Sequence, residues 1–144
     1  MEVIDDFAHN PDKIAASLAT LHEHPGRVIV LYQPQGYGPL KLTKDALTET
    51  FVKGLGEQDV LMMTEPVYFG GTVSREVTSA DIIAGVTAQG RAAEVYEARD
   101  AALEPLLTAA KPGDRIVIMG ARDDTLSEYA AELVKRIREN TGVL

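Results

Sequence analysis

An α/β domain with a mostly parallel sheet is what the sequence predicts, on three observations. Apolar runs containing β-branched residues alternate with longer segments of helical period. The stretches between those runs have lengths that suit crossover helices, not hairpin turns. Two similar junctions, His24-Pro25-Gly26-Arg27-Val28 and Lys111-Pro112-Gly113-Asp114-Arg115, each end a helix with Pro-Gly and open a strand. Proline stops the helix and glycine takes the positive φ such a turn needs. At 144 residues the chain is read as one domain, residues 1–144, large enough to bury most of the surface its unfolded form exposes.

The elements follow in order. Strands are expected at 3–7, 27–32, 59–63, 93–97 and 115–119. Asn10-Pro11 opens the first helix, at 11–23, with a capping amide and a proline at the first position, where its missing N–H costs nothing. That helix turns Ile14, Ala15, Leu18 and Leu21 inward at spacings of three and four. Helices at 44–53 and 79–88 follow the same logic with Leu47, Phe51, Ile82, Ile83 and Val86. Pro105 sets the start of the next helix near Glu104, because an interior proline costs about 3 kcal/mol. The last helix, capped by Asp124 and Thr125, aligns Leu126, Tyr129, Ala130, Leu133 and Ile137 on one face.

Composition narrows the function. The formal charge of −8, with no basic stripe, argues against a nucleic-acid surface. There are no cysteines, which excludes disulfides, thiolate nucleophiles and cysteine-ligated zinc. No apolar run approaches the ~20 residues of a membrane span, and the first residues have neither a basic nor a long apolar leader region. No phosphate loop of the G-x-x-x-x-G-K-[ST] type, no G-x-G-x-x-G and no nucleophile elbow occurs. The chain therefore has no phosphate cradle of its own.

What chemistry there is should gather at the carboxyl edge of the sheet, where open α/β sheets bind ligands. Polar loops are expected there at 8–10, 33–42, 64–78 and 120–125, and the two longest exceed the ordinary connection. Asp5 and Asp6 alternate in direction, so one of them faces a pocket. Asp6, nearer the edge, is suited to accept from a sugar hydroxyl, or else merely caps nearby amides. His9 sits beside the helix start, where an imidazole can meet phosphate. His22 and His24 read as a solvated pair, not a metal site. Gly36, Gly38, Gly70 and Gly71 let backbone approach a ligand, while Glu65-Pro66-Val67-Tyr68-Phe69-Gly70-Gly71 has the makeup of a pocket lid. Arg122 is placed to bind a carboxylate or to pair with Asp123 or Asp124.

These loops resemble a family. Asp5-Asp6-Phe7-Ala8-His9-Asn10-Pro11 resembles the opening of the carboxyl-terminal domain of Mur-type ligases, D-D-Y-G-H-H-P in the UDP-N-acetylmuramate:L-alanine ligase branch and D-G-A-H-N-P in folylpolyglutamate synthases. In the same branch V-F-Q-P-H-R-Y resembles Val30-Leu31-Tyr32-Gln33-Pro34-Gln35-Gly36-Tyr37. Likewise D-V-L...D-V-Y-x-A-G resembles the segment from Asp59 through Gly71, and P-G-D-x-x-x-x-x-G-A resembles that from Pro112 through Ala121. The likeness runs in order over nearly the whole chain and is closest to that branch.

The resemblance implies a Rossmann-like three-layer fold and a place in a longer, cytoplasmic ligase. Such ligases use ATP and Mg²⁺ to activate a carboxylate as an acyl phosphate and join it to an amine. It implies that a central ATP-binding domain and an amino-terminal UDP-substrate domain are this domain's partners, that this domain alone binds neither ATP nor Mg²⁺ firmly, and that it carries no catalytic residue or metal ligand of its own. It implies nucleotide contact by Asp6, His9 and Asn10, and amino-acid or amine contact by Gln35, Gly36, Tyr37 and Arg122. There is one departure: the branch carries H-R-Y-T-R-T where this chain has Gln35-Gly36-Tyr37-Gly38-Pro39-Leu40. Its arginines are absent here, Lys41 replaces one charge only if the loop shifts, and the acceptor amine is left open. A competing reading is a receiver-like signalling domain, which requires an Asp ending the third strand and a Lys ending the fifth. Those places hold Thr64-Glu65 and Gly120-Ala121-Arg122. A free-standing ligand-binding domain is the third alternative.

Overall fold

Two strands, β2 (Val28–Gln33) and β5 (Arg115–Gly120), are buried along their whole length, the signature of strands flanked by neighbours and covered on both faces. The structure is a computed structural model and describes residues 2–6, 8–34, 36–66, 76–120 and 124–141. With β1 (Glu2–Asp5), β3 (Val60–Thr64) and β4 (Ala92–Tyr96) they form a parallel sheet of order β1-β5-β2-β3-β4. A receiver domain has its first strand inside the sheet, in the order 2-1-3-4-5. Here β1 is an edge strand, so the receiver-like reading fails on topology.

Alternation along the interior strands assigns two cores. Val28, Val30, Tyr32, Leu61, Met63, Val117 and Met119 face α1 (Pro11–Leu21), α2 (Tyr37–Gly54) and α3 (Ser79–Ala88), meeting Leu18, Phe51 and Ile82. Ile29, Leu31, Met62, Ile116 and Ile118 face α4 (Arg99–Ala109) and α5 (Asp124–Thr141), meeting Leu106, Leu126 and Leu133. The chain is thus a three-layer α/β sandwich.

Strand and helix bounds move by no more than two residues from expectation except at two helices. α2 begins at Tyr37, so most of the expected loop 33–42 is helical. Pro39 falls in the first turn, where an N–H has no intrahelical acceptor, and buried Tyr37 and Leu40 anchor that turn. α4 begins at Arg99, five residues before Glu104, and keeps Pro105 inside. Packing decides that case: Ala102 and Leu106, on either side of the proline, are both fully buried. The Asp5-Asp6 strand end also stops short, with β1 closing at Asp5 and Phe7 outside the described residues.

The two Pro-Gly junctions are neighbours in space, since β2 pairs with β5. Gly26 and Gly113 both take positive φ, 124° and 91°. Arg27 of one junction then forks onto Asp114 of the other, Nε to Oδ1 at 3.2 Å and Nη2 to Oδ2 at 2.6 Å, and also donates to the Ala109 carbonyl. Behind them buried Arg115 donates to the carbonyls of Leu21, His24 and Gly26, closing the carboxyl end of α1. Among the described residues no helix is long and apolar enough to cross a membrane.

Candidate functional site

At the carboxyl edge, β1 sends its chain to α1 on one face while its neighbour β5 leads to α5 on the other. β2, on the far side of β5, again leads to the α1 face. These reversals create the crevice in which sheets of this class hold ligands. Its described walls are the β1–α1 turn and the β2–α2 turn.

The β1–α1 turn is built by its own polar groups. Asp6 donates its backbone N–H to the Ile118 carbonyl at 2.9 Å, extending the β1–β5 ladder by one step. Its carboxylate Oδ1 accepts from the Ala8 N–H at 2.9 Å, bending the chain while Ala8 is buried. Asn10 then caps α1: its Oδ1 accepts from the Lys13 N–H at 2.9 Å and its carbonyl from the Ile14 N–H at 2.9 Å. The backbone at Asn10 is extended, φ −119° and ψ 161°, as a cap requires. His9 is half-buried between the two, and its carbonyl accepts from the Tyr32 hydroxyl at 3.1 Å. So the amide-capping role weighed for Asp6 is present, and it engages one carboxylate oxygen. Asp5, by contrast, accepts from the Ser127 hydroxyl of α5 at 2.7 Å.

On the second wall Gly36 precedes α2 in extended backbone, and its carbonyl accepts the Leu40 N–H at 3.1 Å. No side chain hydrogen-bonds as a cap to this helix start. Tyr37, the first helical residue, is a core residue with 8% exposure. Lys41 lies inside α2, not on a mobile loop as the charge-replacement idea required, and it pairs with Glu76 at 2.6 Å. The helix fixes its direction, and the pair spends its charge on the segment that leads into α3. Gln35, Arg122, Asp123 and the aromatic-glycine stretch 67–71 lie outside the described residues.

Three residues to which the sequence reading gave no individual role shape this edge. Tyr32 ties the β1–α1 turn to the core. Gly120 ends β5 with φ +128°, and a Cβ there would sit 2.0 Å from the Gln33 carbonyl oxygen, so glycine is required where the two central strands diverge. Glu65 accepts from the Ser79 N–H at 2.9 Å and Ser79 donates its hydroxyl to the Thr64 carbonyl at 2.7 Å, locking α3 to the end of β3. Away from this edge, His22 and His24 are both solvent-exposed, as expected, but His22 also contacts Asp59 Oδ2 at 2.6 Å and the Leu18 carbonyl at 2.7 Å. Asp59 is 3% exposed and also accepts the N–H groups of Val28 and Gly56, so it joins α1, α2 and β2. The signal for it was an acid opening an apolar strand.

Against known proteins, a family model described as "Mur ligase, glutamate ligase domain" matches residues 1–122. This chain belongs to that family. A UDP-N-acetylmuramate–L-alanine ligase from Pelotomaculum thermopropionicum is 33% identical over 146 residues, covering 99% of this chain and 30% of that protein. Among solved structures, a murein peptide ligase from Psychrobacter arcticus superposes with a TM-score of 0.65 at 20% identity, over 99% of this chain and 28% of that one. A UDP-N-acetylmuramate-alanine ligase from Thermotoga maritima gives a TM-score of 0.62 at 21% identity, over 96% and 27%. The two structures share the fold. This Mur ligase domain spans about 30% of the length of the curated relatives it matches.

Proposed function

We propose that this chain is the carboxyl-terminal domain of an ATP-dependent carboxylate–amine ligase of cytoplasmic peptidoglycan-precursor synthesis, UDP-N-acetylmuramate:L-alanine ligase-like. In this reading it closes over a central ATP-binding domain and works with an amino-terminal UDP-substrate domain. The observation that carries the reading is the Asp6–Asn10 turn at the switch of strand direction, in a chain with no phosphate loop. In this reading the chain supplies one wall of a nucleotide site, and the cradle for the phosphates belongs elsewhere.

The residues divide the work. Asp6 keeps Oδ1 on the Ala8 amide and offers its other oxygen to a ribose hydroxyl. His9 and the start of α1 face the anionic side of the nucleotide, where the helix dipole favours negative charge. Gly36 and Tyr37 at the start of α2, with Gln35, Lys41 and Arg122, border the incoming amine, and the Lys41 ammonium, paired with Glu76, does not reproduce the arginine forks of the branch. ATP supplies the phosphoryl group that activates the carboxylate. In this reading a Mg²⁺ accompanying ATP takes most of its protein ligands from the central domain. This domain orders reactants and excludes water on closure.

The test is Asp6→Ala in the ligase that carries this domain. Loss of a charged hydrogen bond predicts a rise in the KM for ATP of roughly ten- to a hundredfold, a larger effect than the loss of the Ala8 contact has on folding. An unchanged KM for ATP removes the ribose role. Steady-state assays across a panel of amino acids then identify the acceptor.

A further inference from the structure

We propose that Tyr32 is a positioning residue for the nucleotide turn, holding the His9 carbonyl from the middle of the sheet. The proposal rests on the reading of residues 6–10 as the nucleotide contact. Its observation is geometric. Tyr32 lies on β2, whereas the turn leaves β1, and β5 stands between those strands. The tyrosine nevertheless reaches the turn: it points to the α1 face of the sheet, and its hydroxyl donates to the His9 carbonyl at 3.1 Å.

The ring itself cannot drift. Tyr32 is 3% exposed, and Phe51 of α2 packs edge-on against it, centroids 5.5 Å apart and planes at 70°. Burial pushes its hydroxyl up to about 12, so it remains a neutral donor throughout the working pH range. A buried tyrosine hydroxyl needs a partner, and this one finds it in a loop carbonyl instead of a neighbouring strand or helix.

The consequence concerns the cost of binding. His9 stands between Asp6, whose carboxylate bends the turn, and Asn10, which caps α1. Both of those bonds are local, within three residues, and shape the turn without tying its far side to the sheet. The Tyr32 bond reaches the turn from two strands away, and together with the Asp6 N–H on the Ile118 carbonyl and the burial of Ala8 it sets the height of the turn above the sheet. With it in place the turn is ordered before nucleotide arrives; without it, part of the binding energy is spent on ordering the loop.

The experiment is Tyr32→Phe in the ligase that carries this domain, which keeps the ring and removes one oxygen. The KM for ATP should rise about fivefold, the equivalent of one neutral hydrogen bond. The KM values of the other substrates and kcat should stay within about twofold, since this bond is not made to them. Hydrogen exchange at the amides of Ala8, His9, Asn10 and Asp12 should quicken in the variant while those of β2 do not. An unchanged KM for ATP, or a parallel rise in every KM, overturns the proposal. Asp6→Ala measured alongside separates the two ideas. A raised KM for ATP in Asp6→Ala with none in Tyr32→Phe sinks the positioning role alone. No change in either removes the nucleotide turn itself.

Discussion

Gly120 shows how a single residue can govern the carboxyl edge. Its positive φ, and the Gln33 carbonyl oxygen that an added Cβ would meet at 2.0 Å, leave no room for a side chain. Gly120→Ala is expected to destabilise the fold by about 2 kcal/mol or more, through backbone strain and overpacking together, measurable by urea denaturation. Asn10 is a milder case. Asn10→Ala removes a capping bond to Lys13 and should cost about 1 kcal/mol in the same experiment, while Asn10→Asp should retain it. At this scale the capping residue could be read directly, because Asn-Pro before a helical period is a local signal. The requirement at Gly120 could not: it depends on a neighbouring strand some ninety residues away.

Among the elements, the paired Pro-Gly junctions are the clearest case of local grammar acquiring a tertiary meaning. Each is a helix stop followed by a strand start, which the residues alone predict. Only the pairing of β2 with β5 brings Arg27 to Asp114. Burial alone would raise the Asp114 carboxyl, but the hydrogen bonds from Arg27 and the Lys111 N–H outweigh it and hold the group below its ordinary value. The sign follows. Unfolding raises this pKa, so its stabilisation is complete above the ordinary carboxylate pKa near 3.9 and is lost as pH falls below that toward the depressed value. Asp114→Asn should therefore lower stability at neutral pH and flatten the acid limb of the stability profile, as followed by thermal melts between pH 7 and pH 3. The helices α2 and α4 teach the same lesson in reverse. Gly38-Pro39 and Pro105 are local breakers, yet the burial of Tyr37, Leu40, Ala102 and Leu106 extends both helices through them.

For the whole molecule, the division of α1, α2 and α3 from α4 and α5 across the sheet creates the crevice, and the crevice holds one wall of the proposed site. The 144-residue chain with ATP, Mg²⁺ and an amino acid is expected to form no peptide bond, since the proposed division of labour puts the phosphate cradle on another domain. Detection of ligation product from this chain by mass spectrometry would refute the division of labour. The amino-acid sequence alone was sufficient for the α/β class, the five strand positions, the capped start of α1 and the family likeness, because each is carried by short-range period, turn chemistry or contiguous motif. Strand order, the extent of α2 and α4, the partners of Asp59 and Asp114, and the tether from Tyr32 to His9 were decided in three dimensions. Those features arise between residues tens of positions apart, where burial and hydrogen-bond satisfaction outweigh local preference and no pattern along the chain records which segments will meet.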